Sequence, residues 1–289
     1  MPYAATFFTM KIVSDRKGVY MTTNRKGLLI DLDGTLYHGD TVIEGASVWI
    51  QDLQSKQIPY LFVTNNSSRT PQGVADHLTH LGIPATAEQV CTSAMAAAYY
   101  IAQQSPASSV YVIGEEGLKQ AVTEHRWLQL TEEQPDYVLQ GIDRQFTYEK
   151  LTKALRLIAG GATFVLTNPD LQLPSHDGLL PGAGTIGASI VAATGIEPVV
   201  IGKPSAILME YALERLGLPA KDAIVVGDNL LTDIAAGASA GCVTVLVLSG
   251  ITTTDNMSTH EAKAGVKADI ICQDLAEVSS ALGLYSSSH

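Results

Sequence analysis

Asp31 and Asp33 stand two positions apart in Asp31-Leu32-Asp33-Gly34-Thr35-Leu36, directly after the apolar run Leu28-Leu29-Ile30. A run of this kind reads as a buried strand, so both carboxylates are delivered at its exit. Two ionised carboxylates held together away from water repel each other, and the arrangement is costly unless a cation neutralises it. The pair therefore points to a divalent metal. Gly34 permits a tight turn after the strand, and Thr35 can cap or hydrogen-bond within it. Taken alone, the hexapeptide is also what a polar turn at a strand end looks like.

Three more apolar runs end in a polar group. Tyr60 to Val63 reaches Thr64-Asn65-Asn66, Val199 to Ile201 reaches Gly202-Lys203, and Ala223 to Val226 reaches Gly227-Asp228. In a parallel sheet the C-terminal ends of the strands share one edge, which is where open α/β folds bind ligands. Four segments far apart in sequence are thus expected to converge.

In this order, the four segments resemble the motifs of the haloacid dehalogenase-like (HAD) phosphohydrolases. The nearer resemblance is to the NagD-like, or nitrophenylphosphatase-like, branch, which carries a large α/β cap of the C2 type between the second and third motifs. It extends over nearly the whole chain, from residue 25 to 285. The resemblance implies that Asp31 is the nucleophile that forms an aspartyl-phosphate. Asp33 is then the general acid and base, and its backbone carbonyl is a metal ligand. Thr64, with Asn65 and Asn66 behind it, would bind the phosphoryl oxygens, and Lys203 would supply positive charge to the nucleophile and the transferring group. Asp228 would complete the metal site with Asp31 and Asp33. Mg²⁺ is the expected ion because it favours hard oxygen ligands. Asp233 would bind a coordinated water or Lys203, though an acid at a helix N-terminus is also favoured by the dipole alone. Asn229, beside the metal acid, departs from the Gly-Asp-Arg form common in the family and puts any contact of that arginine in doubt. Asn168 and Asp170, in Asn168-Pro169-Asp170, resemble a segment where cap residues look down on substrate; turn-making would equally explain them.

The implied activity is Mg²⁺-dependent hydrolysis of small phosphomonoesters such as sugar or nucleotide phosphates, and aryl phosphates in vitro. A non-catalytic phosphometabolite sensor and a phosphomutase on the same fold are the alternatives. Retention of Asp31, Asp33, Lys203 and Asp228 speaks against the sensor, and the large cap speaks for hydrolysis. Dehalogenation needs no metal, Asp33 and Asp228 together.

Composition agrees with a small-solute enzyme. The 289 residues are 46% hydrophobic and 16% charged, which describes a well-buried globular protein. The formal net charge is -11, from 29 acidic and 18 basic residues, with no basic run. A nucleic-acid or anionic-membrane footprint is therefore missing, and a small phosphorylated metabolite is the expected partner. Cys91, Cys242 and Cys272 are odd in number and lie in apolar surroundings, which fits reduced thiols in the cytoplasm. The longest apolar run, Ala94 to Ala102, is far short of the ~20 residues of a membrane-spanning helix. A homodimer through the cap is an assembly the resemblance implies.

The elements that must position these residues alternate as strand and helix, so the expected fold is α/β, a Rossmann-like parallel-sheet core with an inserted α/β cap domain. Core strands are expected at Lys26 to Ile30, Tyr60 to Val63, Val199 to Ile201, Ala223 to Val226 and Val243 to Leu248, with an edge strand at Ala268 to Cys272. Helices are expected at Gly45 to Gln54, Pro71 to Leu81, Ala94 to Gln103 with Ser93 as N-cap, and Ala206 to Leu216. The cap is read over 106–197, with strands at Val110 to Ile113, Tyr137 to Leu139 and Thr163 to Leu166. Its helices are Glu115 to Glu124, Tyr148 to Ala159 and Gly184 to Thr194. The core is then 26–105 with 198–289, and 1–25 is an extension of unknown role.

Other motifs lead elsewhere. Gly202-Lys203-Pro204 is not a Walker A loop, since Glu197 replaces its first Gly and Pro204 its Ser/Thr. Gly182-Ala183-Gly184-Thr185-Ile186-Gly187 formally matches a dinucleotide fingerprint, but no strand of useful length precedes it, and a helix-entry turn explains the glycines. His176 reads as a solvated loop histidine, and Asp143-Arg144 as a turn.

Overall fold

The computed structural model describes residues 27–105, 107–175 and 178–283, together with the strands Val13–Asp15 and Gly18–Tyr20. These two strands pair antiparallel inside the expected N-terminal extension. His176 lies outside the described residues, as does most of 1–25.

The chain divides into two compact units, one of Met1–Phe62, His80–Pro84 and Ala212–His289, the other of Val63–Thr79 and Ala85–Tyr211. In the first, strands follow the spatial order Ile270–Cys272, Val243–Val247, Ala223–Gly227, Gly27–Ile30 and Tyr60–Thr64. Each of these pairings is parallel. The strand Tyr60–Thr64 leaves this unit after Phe62. Gly27–Ile30, Ala223–Gly227 and Val243–Val247 are buried at every position, as central strands covered on both faces must be. That is why they read as unbroken apolar runs. Leu230, Ile234 and Leu246 form one part of the core, with Met257 and Leu248 packed against it.

The second unit carries a five-stranded parallel sheet in the order Val199–Val200, Thr163–Leu166, Tyr137–Gln140, Ser108–Ile113, Leu128–Leu130. The helix Tyr148–Ala159 begins where Thr147 accepts a hydrogen bond from the Lys150 N–H. It buries Ala154 and Ile158 with Val138, Phe164 and Ile190 of the helix Ala183–Thr194. Each large aliphatic or aromatic side chain buried this way contributes about 1.5–3 kcal/mol. This unit takes in all of 106–197 and, beyond it, 63–79, 85–105 and 198–211.

Several expectations need correction. Val199–Val200 does not join the strands that lead to Asp31 and Asp228; it pairs with Val165 and Leu166 at the edge of the five-stranded sheet. The helix Ser93–Gln104 is capped by Thr92, whose side chain accepts from the Met95 N–H, and Ser93 is its first residue. The segment before Gly182 does contain a strand, Gly178–Pro181, but it pairs antiparallel with Gln172–Ser175 as a hairpin and feeds no parallel crossover. A side chain at Gly182 or Gly184 would overlap the carbonyls of Asp170 and Pro169, so these glycines serve close backbone packing. Asp143 and Arg144 form ion pairs with Lys150 at 2.6 Å and Glu115 at 2.7 Å. The strand Leu128–Leu130 had no signal in the sequence beyond alternation over three residues.

Candidate active site

The strands Gly27–Ile30 and Ala223–Gly227 are parallel neighbours, with Ile30 opposite Val226. One more bond, from the Asp31 N–H to the Val226 carbonyl at 2.9 Å, carries the pairing past the strand end. Asp31 and Asp228 are the next residues out of the two strands, so their carboxylates emerge at the same end. Asp233 returns to this place through the π-helical turn Leu230–Ile234. Carboxylate oxygens of Asp31, Asp228 and Asp233 all lie within 4.8 Å of one another, and Asp228 and Asp233 are buried. The sequence expectation puts Asp233 on a coordinated water or Lys203, and its oxygen lies in the same group as the other two.

The surroundings hold Asp228 from several sides. Its Oδ2 accepts the Ile251 N–H at 2.7 Å, and its backbone carbonyl accepts the Thr252 N–H at 3.1 Å. The buried Thr35 hydroxyl lies 3.3 Å from Asp228 Oδ1 and 3.4 Å from Asp31 Oδ2, between the two carboxylates. Gly34 has φ 89°, and a side chain on it or on Gly250 would overlap the Asp228 carboxylate. Only glycine allows both that backbone and that approach. Asp233 accepts the Asn229 N–H at 3.1 Å, while the Asn229 side chain accepts the Leu231 N–H at 2.9 Å. Asn229 therefore caps the turn that returns Asp233. Asp33 is exposed and its backbone forms an isolated bridge with Tyr37. The loop Ser249–Thr252 was missed in the sequence; Gly250 shortly after a long apolar strand was its one available signal.

Three carboxylates in this space repel one another unless a cation is shared among them, and the donors are all hard oxygens. The set fits a divalent ion of the Mg²⁺ or Ca²⁺ kind.

In the second unit, Thr64 ends its strand and its hydroxyl oxygen accepts the Asn66 N–H at 3.1 Å. The Asn66 Oδ1 accepts the backbone N–H groups of Ser68 and Arg69 at 3.0 and 2.9 Å. Lys203 is 3% exposed and its Nζ donates to the Val63 carbonyl at 3.3 Å. The structure brings Lys203, Asn65, Asn168 and Asp170 together. Asn65 Oδ1 accepts the Lys203 N–H at 2.8 Å, and Asn65 Nδ2 donates to the Lys203 carbonyl at 3.0 Å and to Asp170 Oδ2 at 3.1 Å. Asn168 Nδ2 donates to the Asn65 carbonyl at 2.8 Å, and its Oδ1 accepts the Asp170 N–H at 3.2 Å.

Burial raises the pKa of Asp170 above the ordinary 3.8, against the lowering by the Asn65 hydrogen bond and the Lys203 charge. An acid raised in this way keeps its proton in the folded state where the unfolded chain has lost it. Folding stability then falls as pH rises from the ordinary value through the raised one, and is level above it. Asp170→Asn removes that fall. Paired denaturant melts should move in favour of the variant as pH rises above about 4, the ordinary carboxylate value. A difference that is constant with pH, or that moves towards the parent, contradicts burial as the dominant influence.

The pattern of the haloacid dehalogenase-like hydrolases matches residues 28–127, and a HAD-hydrolase-like pattern matches residues 200–278. The chain is 50% identical over 233 residues to the 5'-nucleotidase YutF of Bacillus subtilis, spanning 81% of this chain and 91% of that protein. The p-nitrophenyl phosphatase structure from Archaeoglobus fulgidus superposes with a TM-score of 0.83 at 36% identity, covering 89% of this chain and 99% of that one. The glycerol phosphate phosphatase Rv1692 of Mycobacterium tuberculosis, in complex with magnesium, superposes with a TM-score of 0.81 at 38% identity, covering 88% and 76%. Among the described residues no helix is long and apolar enough to cross a membrane.

Proposed function

The chain belongs to the haloacid dehalogenase-like hydrolases, in the NagD-like branch, and is a phosphatase; from that premise we propose that it hydrolyses small phosphomonoesters through an aspartyl-phosphate on Asp31, with Mg²⁺ bound. The observation that carries the proposal is the convergence of Asp31, Asp228 and Asp233 within 4.8 Å, beyond the ends of adjacent parallel strands.

In this reading an Asp31 oxygen attacks phosphorus as the bond to the leaving alcohol breaks, and Asp33 gives that alcohol its proton. Asp33, now a base, takes a proton from water; the water oxygen attacks phosphorus, phosphate leaves and the Asp31 carboxylate is restored. Thr64 and Lys203 are assigned to the phosphoryl oxygens. Asp31 and Asp228 would hold Mg²⁺, with the Asp33 carbonyl or Asp233 beside them, and the bound ion would neutralise charge on the phosphoryl group and the attacking carboxylate. Selection of the leaving group is assigned to the insert over 106–197 as a cap. Nucleoside monophosphates, glycerol phosphate, sugar phosphates and aryl phosphates are the substrate classes, because relatives are named for each of them. Cys91, Cys242 and Cys272 are buried cysteines outside any disulfide, which supports a cytoplasmic setting.

Phosphate release across a panel of these esters, before and after chelation, tests the proposal. Activity should vanish on chelation and return with Mg²⁺. Full activity after exhaustive chelation contradicts the metal, and no release from any ester with Mg²⁺ present would favour a phosphometabolite-binding sensor.

A further inference from the structure

We propose that Asn65 and Asp170 are positioning residues that lock the Lys203 segment, and that their side chains do not touch substrate. This rests on the role assigned above to Lys203.

A primary amide has two N–H donors and one carbonyl acceptor. Among the described residues, both Asn65 donors are committed, one to the Lys203 carbonyl and one to Asp170, and its acceptor receives the Lys203 N–H. No hydrogen is left for a phosphoryl oxygen. The two bonds to Lys203 are a bidentate clamp on the backbone of one residue, and they fix where its side chain starts. Asp170 decides which way the amide faces. Its carboxylate accepts only from Nδ2, so a flipped Asn65 would place oxygen against oxygen both there and at the Lys203 carbonyl.

The clamp is itself held. The Asn65 carbonyl accepts from Asn168 Nδ2 at 2.8 Å and from Ser93 Oγ at 2.7 Å. The Gly202 N–H bonds the Thr167 carbonyl at 2.8 Å, and a side chain at Gly202 would overlap Asn65 Oδ1. Asp170 keeps its place although burial disfavours its charge. A buried carboxylate retained at a cost to stability, with its bond aimed at the clamp, fits a part that acts through its neighbour.

The test is steady-state kinetics of the full-length, Mg²⁺-loaded enzyme with nitrophenyl phosphate and two aliphatic phosphomonoesters, with thermal melts of every variant. Asn65→Ala should lower kcat by ~10²-fold, the size of effect that follows a displacement on the order of 1 Å. KM should change little, and the loss should be equal for all three esters. Asp170→Ala should lose about tenfold, as a single lost hydrogen bond does. Asp170→Asn, which keeps an acceptor oxygen, should recover most of that. Asn65→Ala with Asp170→Ala should be no worse than Asn65→Ala alone, and Asn65→Ala should add no loss to Lys203→Ala. A rise in KM that differs among the esters, or losses that multiply in the Lys203→Ala background, overturns the proposal in favour of substrate contact. If Asn65→Ala does not fold, the Asp170 pair decides, and equal losses in Asp170→Ala and Asp170→Asn overturn it. Near-parental activity of Lys203→Ala would instead remove the reading beneath the proposal, and it is seen independently of the other variants.

Discussion

Asp31→Asn should lower phosphate release by on the order of 10⁴–10⁶-fold, the scale of losing a covalent nucleophile. An amide nitrogen or carbonyl does not displace an alcohol from phosphorus, so the first half-reaction has no attacking group. The fold should survive. The Asp31 bond to Val226 is made by the backbone, and the amide oxygen can still face the Thr35 hydroxyl. The substitution also removes one of the three clustered carboxylates and will weaken metal binding. A Mg²⁺ titration separates the two effects: the deficit should remain at saturating metal. If excess Mg²⁺ restores activity to within about tenfold of the parent, a loss far smaller than removal of a nucleophile, Asp31 is a metal ligand and the nucleophile lies elsewhere.

Asp33→Asn should lower turnover by ~10²–10⁴-fold, the usual worth of general acid and base help. Its side chain is exposed and lies outside the clustered carboxylates, so the metal site should be largely kept. The two half-reactions should suffer unequally. Nitrophenolate leaves with little need of a proton, so the first step with nitrophenyl phosphate survives better than attack by water. Rapid mixing should then give a burst of nitrophenolate followed by slow turnover, and an alkyl phosphate should give none. Equal slowing of both esters without a burst contradicts the acid and base assignment.

The strands that carry Asp31 and Asp228 were legible because strands buried on both faces must be apolar throughout, and a carboxylate just after such a run is conspicuous. The companion of those two, Asp233, reads from sequence as a partner of a coordinated water or Lys203, or as a helix-start acid, because its approach to the other carboxylates depends on a π-helical turn capped by Asn229. Val199–Val200 was placed with the wrong strands, since a short run of β-branched residues carries no mark of which parallel sheet it joins. Thr92 and Ser93 are chemically near-equivalent caps, and a one-residue difference in backbone conformation decided between them. The bonds that join Asn65, Asn168, Asp170 and Lys203 span more than a hundred residues of sequence, so side-chain type suggested polar contacts there without naming the partners.

The proposed mechanism turns on a covalent phosphate on Asp31. Asp33→Asn enzyme mixed with nitrophenyl phosphate and Mg²⁺, quenched in acid within the burst, should show a phosphate adduct by intact-protein mass spectrometry, and peptide mapping should place it on Asp31. An adduct on Asp33 would reverse the two roles, and no adduct on either residue under rapid quench would contradict the covalent mechanism and favour direct attack by water.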